Sequence, residues 1–112
     1  MPTRADPLAS ARWDARPLVV VAPPDDPRIA EQRERIAEAA SGFRERDQML
    51  VEARDGDGLR ERFRVAPDAF AVILVGKDGT EKARWPEPVD AAEVFALIDA
   101  MPMRRREIER GD

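Results

Sequence analysis

The sequence predicts an α/β fold: a four-stranded mixed sheet with helices on both faces, in the order β-α-β-α-β-β-α. Three observations carry this. The runs Leu18-Val-Val-Val-Ala22 and Phe70-Ala-Val-Ile-Leu-Val75 are apolar throughout, too short for helices, and read as strands buried on both faces. A long segment of helical period separates the first run from a third one, Met49-Leu-Val51. That crossover makes the first two strands parallel and the connection right-handed. Finally, Gly76-Lys-Asp-Gly79 has the glycine chemistry of a hairpin turn and joins Phe70–Val75 to an antiparallel strand, Glu81–Trp85.

Each element has its own signals. Residues 1–16 are polar and proline-punctuated, an irregular lead-in with Leu8 and Trp13 as anchors. Trp13 is expected to fold back as a lid on the core, since an indole is costly to leave wet; its functional alternative is a stacking surface for a ligand. Asp26 reads as the N-cap of the first helix and Pro27 as its first residue, with the helix running to about Arg46. Ile29, Ile36, Ala40 and Phe43 share its buried face, while Glu31 and Arg35 pair outside.

Asp57 is placed to cap a short second helix in which Leu59 and Phe63 meet at i,i+4. Lys82 and Arg84 alternate with Ala83 and Trp85, which puts the fourth strand at a sheet edge, and Pro86-Glu-Pro88 ends pairing there. Asp90 and Glu93 have the spacing of a capping box, with Val89 and Val94 stapling the start of the last helix. Val94, Phe95, Leu97, Ile98 and Met101 form its expected inner face, and Pro102 either kinks it or opens a further short helix. Ile36, Phe43, Val72, Leu74, Phe95 and Ile98 are expected to be buried together. No repeat or low-complexity linker interrupts the 112 residues, so one domain is expected over 1–112.

The composition excludes whole classes of chemistry. The chain has no cysteine, so disulfides, thiolate nucleophiles and dithiol exchange are ruled out. It has no histidine, the commonest general base and transition-metal ligand, and no tyrosine. Hydroxyl side chains are limited to Thr3, Ser10, Ser41 and Thr80. Any catalysis would rest on carboxylates, lysine or arginine, and no cofactor is expected. With 19 basic against 23 acidic residues the net charge is −4, which leaves no basic excess for nucleic-acid binding. No apolar run approaches a membrane span, and the first residues lack a signal peptide's apolar centre. A soluble, cytoplasmic protein is expected from the chain as it stands, or a periplasmic or secreted one if a leader has been removed.

Several local pieces recur together in one known family. They are Arg12-Trp13, then Arg16-Pro17-Leu-Val-Val-Val, Arg46-Asp47 and Gly76-Lys-Asp-Gly79 with Lys82, and lastly Ile98-Asp-Ala-Met-Pro-Met-Arg104 with Glu107. In these the chain resembles the domain-of-unknown-function family 4174 over nearly its whole length. The resemblance implies a thioredoxin- or peroxiredoxin-like fold, which is also the fold whose minimal form has this element order. It implies similarity to domains in secreted, matrix-associated animal proteins, and it brings no established activity. Where thioredoxins carry Cys-Gly-Pro-Cys, this chain has Asp25-Asp26-Pro27-Arg28. Where they carry a cis-proline, it has Phe70-Ala71, with Pro67 too early to align.

The expected function is therefore a non-catalytic binding or scaffold module acting on a protein partner the sequence does not name. The alternative is a divalent-cation-binding protein or carboxylate-based enzyme. In this fold Asp25, Asp26, Asp55, Asp57 and Asp68 gather at one end of the sheet, and hard cations take carboxylate oxygens. The simpler reading makes Asp26 and Asp57 caps and the others solvated turn residues. An EF-hand is excluded, because a loop starting at Asp55 reaches Ala66 at its twelfth position. Arg104, Arg105 and Arg106 form a candidate interaction surface for an anion or an acidic partner; otherwise they are a solvated face complementing the preceding helix C-terminus. Met103 and Met101 suit an adaptable surface, although Met101 also fits the core stripe. Lys77 reads as a solvent-facing turn residue.

Overall fold

The computed structural model describes Leu8, 11–54 and 58–110. Its sheet has the order β2-β1-β3-β4, formed by β1 (Arg16–Val21), β2 (Gln48–Glu52), β3 (Ala71–Val75) and β4 (Glu81–Trp85). β1 runs parallel to β2 and antiparallel to β3, and β3 pairs antiparallel with β4, as the turn chemistry requires. The all-apolar stretches of β1 and β3 occupy the two central positions, where both faces of a strand are covered. Leu18, Val20, Val72 and Leu74 face one hydrophobic cluster with Ile36, Phe43, Val94 and Ile98. Val19, Val21, Ile73 and Val75 face a second cluster with Leu8, Leu59, Phe63 and Val65. Period-two alternation thus feeds two cores from one pair of strands.

Among the described residues five helices cover the sheet: α1 (Pro27–Ala37), α2 (Ala40–Glu45), α3 (Leu59–Arg62), α4 (Ala91–Asp99) and α5 (Pro102–Glu109). The single helix expected over Pro27–Arg46 is broken at Glu38 and Ala39, where Ala39 leaves helical geometry at φ −122°, ψ 33°. The break lets α2 pack against β2 and α4 as well as α1. Gly42 makes this possible, since a Cβ there would stand 2.7 Å from the Phe95 ring of α4. Pro102 opens a new helix rather than kinking α4.

The remaining local expectations divide. Asp26 caps α1 by accepting from the Arg28 N–H at 2.9 Å. Gly79 takes φ +85° in the hairpin turn, a conformation glycine adopts without strain. Gln32, fully buried on α1, exchanges two hydrogen bonds with the Val89 backbone and so ties α1 to the approach of α4. The Asp90 side chain makes no capping bond; its carboxylate accepts from Arg35 at 2.9 Å instead, because a nearby guanidinium is the stronger donor. Leu97 is 42% exposed, and Phe95 and Met101 are only partly buried against the core. Trp13 is no lid: it is 57% exposed at φ +74°, its N–H bonded to the Lys77 carbonyl and its ring faced by the Arg12 guanidinium. That backbone bond fixes the residue and turns the indole outwards. Asp57, expected to cap α3, lies outside the described residues.

Candidate functional site

The two ends of the sheet carry different chemistry. At the end where β1 finishes, β1 delivers the chain through Pro23-Pro24 to the start of α1, the position that holds the redox loop in thioredoxins. Here the carboxylate of Asp26 accepts three bonds from Arg28: the backbone N–H, Nε at 3.1 Å and Nη2 at 2.7 Å. The Arg28 side-chain bond above all, then its backbone bond, hold the Asp26 carboxyl below its usual range. The same guanidinium lies 4.7 Å from the centre of the Phe70 ring, which precedes β3, and 3.8 Å from Glu87. A cation stacked on an aromatic face and bound on its edge by a carboxylate is a closed arrangement. Its groups already satisfy one another.

Of the five aspartates expected at this end, Asp25 and Asp68 are exposed and Asp26 is taken by Arg28. Asp55 and Asp57 lie outside the described residues. Among the described residues no three carboxylates come together in a manner that could hold a metal ion.

The opposite end holds an ionic network, buried at Arg16, Arg104 and Glu107, that joins six elements or their junctions. Arg16, which opens β1 and is 1% exposed, sends its two terminal nitrogens to both oxygens of Glu107 in α5, at 3.3 and 3.1 Å. It also donates to the Arg46 carbonyl at 2.8 Å. Lys77, from the β3–β4 turn, reaches Glu107 at 2.7 Å and Asp47 at 2.8 Å. Arg104, 2% exposed, lies 3.6 Å from Glu107 and bonds Asp99 at 3.3 Å and Glu45 at 3.2 Å. Arg46 grips both oxygens of Asp99, at 3.0 and 2.9 Å, and stacks 4.2 Å from the Phe95 ring centre.

Local geometry serves this network. Asp47 adopts φ +52°, a left-handed turn that aspartate tolerates, between α2 and β2. Its carbonyl accepts from the Arg16 N–H at 2.7 Å while its carboxylate meets Lys77. Burial by itself raises the Glu107 carboxyl, but bonds from Arg16 and Lys77 and their charges outweigh it, holding it down at about 2. For Arg104, burial works against the charge and the Asp99 carboxylate overcomes it, so the guanidinium stays raised. Every one of these groups is engaged by a partner of opposite charge. The network can clamp elements together; it offers no free base or nucleophile.

Two readings of the sequence change accordingly. Lys77 points inward, its side chain 10% exposed, because two carboxylates compensate the ammonium. Arg104 belongs to the interior, whereas Arg105 and Arg106 of the candidate surface are exposed. Arg16, Arg46, Asp47, Asp99 and Glu107 escaped notice as a site because spacing reveals only pairs three or four residues apart. A signal for them was present: all lie in the short pieces that carry the family resemblance.

Comparison with known proteins agrees with this architecture. Solved structures with the same fold include thioredoxin-2, a component of malaria parasite protein secretion machinery, at TM-score 0.62 and 17% identity over 78% of this chain and 84% of that one. The reduced 2-Cys peroxiredoxin of Plasmodium vivax aligns at TM-score 0.63 and 16% identity over 89% and 83%. These likenesses establish a thioredoxin-like fold. Coiled-coil domain-containing protein 80 of Danio rerio is 41% identical over 51 residues, 45% of this chain. The matched stretch is only 6% of that relative's length. The sequence profile of the Domain of unknown function (DUF4174) matches residues 7–107, a span that contains the ionic network, and the chain belongs to this family.

Proposed function

We propose that this domain is a non-catalytic thioredoxin-like module that works by binding another protein. The observation that carries the reading is the closed Asp26–Arg28–Phe70 arrangement at the start of α1. Thioredoxin chemistry needs a thiolate there, and this chain has no cysteine. The ground has been given over to an ion pair stacked on a ring, which fixes backbone but leaves no side chain for acid–base or nucleophilic work. The other concentration of charge is likewise internally matched. What the molecule presents to its surroundings is surface shape, apolar contact and exposed charge. The Danio rerio relative is named for a coiled coil, an element of protein assembly, and carries its matching segment within a far longer chain, which suits a binding module.

The test pairs an activity assay with reconstitution. The chain is expected to leave insulin disulfides and hydrogen peroxide untouched in the presence of dithiothreitol. Protein captured on the immobilised chain from its source organism, once purified, is expected to form a saturable complex by calorimetry. Turnover that persists through repurification, or failure of every captured protein to bind when purified, overturns the reading.

A further inference from the structure

Beside the ionic network a cleft of about 480 Å³ opens between the β3–β4 turn and the α4–α5 corner. Leu97, Met101 and Met103 supply its apolar wall, with Pro102 at the corner. Four cations, Arg16, Lys77, Lys82 and Arg106, also line it. Asp78 is the sole acidic residue of the lining.

Three features indicate what this cleft holds. First, Leu97 is 42% exposed on a helix whose other large apolar residues turn inward. A leucine next to two half-buried methionines in a concavity is a surface suited to being covered by an apolar side chain. Second, the cations of the cleft differ in commitment. Arg16 and Lys77 are balanced from behind by Glu107 and Asp47, and Lys82 is held over Gly76 by Asp78 at 3.0 Å. The exposed Arg106 guanidinium makes no ion pair with any described residue. Third, this positive site lies on a chain of net charge −4, so its attraction for anions is local.

Resting on the protein-binding reading, we infer that this cleft is where the module takes its partner. The occupant is a segment of another protein in which carboxylates flank a large apolar side chain. The apolar side chain seats against Leu97, Met101 and Met103. A flanking carboxylate pairs with Arg106, which has the planar fork for a bidentate contact. The cleft is the size of a small-ligand site and anchors one or two side chains, not a whole interface. The cations already paired in the network hold this part of the lining in place, and Arg106 selects the sign of the charge.

The experiment is a selection of phage-displayed random dodecapeptides on the full chain, followed by fluorescence anisotropy of the enriched peptides. Wild type is compared with Leu97→Asp and with Arg106→Glu, and circular dichroism checks that each is folded. Arg106 is exposed, so its variant remains informative if Leu97→Asp does not fold. Enriched peptides are expected to combine aspartate or glutamate with a large apolar residue. Their affinity should fall about tenfold or more in either variant and weaken with added salt. Enriched peptides that are neutral or basic, or whose binding is indifferent to both variants, overturn the cleft while leaving the protein-binding reading in place. Absence of any enriched peptide counts against both.

Discussion

Replacing Glu107 with glutamine keeps the shape of the side chain and removes the charge that three cations share. In the wild type its carboxyl is held at about 2, against an ordinary 4.5 in the unfolded chain, a difference worth roughly 3 kcal/mol. A second route gives a similar figure: breaking a buried ion pair by removing one partner costs about 3–5 kcal/mol, because a desolvated charge is stranded. Arg16, at 1% exposure, is the charge stranded here. The expected loss is therefore a large share of the roughly 5–15 kcal/mol that holds a domain together. Urea melts of both proteins between neutral pH and acid provide the assay. Because the folded value is depressed, the contribution of Glu107 is complete above about 4.5 and is lost as pH falls through about 2. The gap between wild type and variant should accordingly be widest at neutral pH, narrow below pH 4.5 and close near pH 2, with other carboxylates cancelling in the comparison. A gap under about 1 kcal/mol at neutral pH, the size of a surface pair, would refute the argument, as would a gap independent of pH.

Three further outcomes are expected. Phe95→Ala removes a ring that packs on Gly42 and carries the Arg46 guanidinium; being half-buried, it should cost about 2–4 kcal/mol in urea melts, and an unchanged midpoint would show that α2 does not rest on α4. Gln48 is 9% exposed and neither of its side-chain polar atoms has a hydrogen-bond partner among the described residues, so Gln48→Met should stabilise by about 1–2 kcal/mol, and a loss would mean the amide is satisfied after all. Millimolar Ca²⁺ or Mg²⁺ should leave the melting temperature unchanged, since Arg28 occupies the Asp26 carboxylate; a cation at a hundred times its Kd would add about 2.7 kcal/mol, and a saturable rise abolished by Asp25→Asn/Asp55→Asn would restore the cation site.

The sheet was legible because strands write themselves locally. Unbroken β-branched runs, a glycine turn and a helical stretch of crossover length leave few topologies open. The cap at Asp26 was equally plain, since it concerns residues two positions apart. What escaped was decided at a distance. No glycine or proline marks the break at Glu38 and Ala39; α2 takes its direction from Phe95, which lies more than fifty positions along the chain. Lys77 sits in a turn that by composition belongs in water, and only the fold brings two carboxylates to it. Trp13 went astray because a backbone bond to the Lys77 carbonyl governs it, and its apolar area does not. Of the candidate surface, Arg105 and Arg106 are exposed as a charged run suggests, while their neighbour Arg104 is drawn inside by Asp99 and Glu45.

The bond between Arg16 and Glu107 spans 91 positions, nearly the length of the chain. Closing so long a loop costs roughly 4 kcal/mol of entropy, so a contact of this kind forms after the local elements and the sheet have assembled. Its energy then falls on the far side of the folding barrier. Removing it should leave the rate of folding nearly unchanged and speed unfolding, by on the order of a hundredfold for a loss near 3 kcal/mol. On this account the network sets how long a folded molecule lasts rather than how quickly it is made, with the last helix as its latch, and unfolding rates of Glu107→Gln against wild type check it.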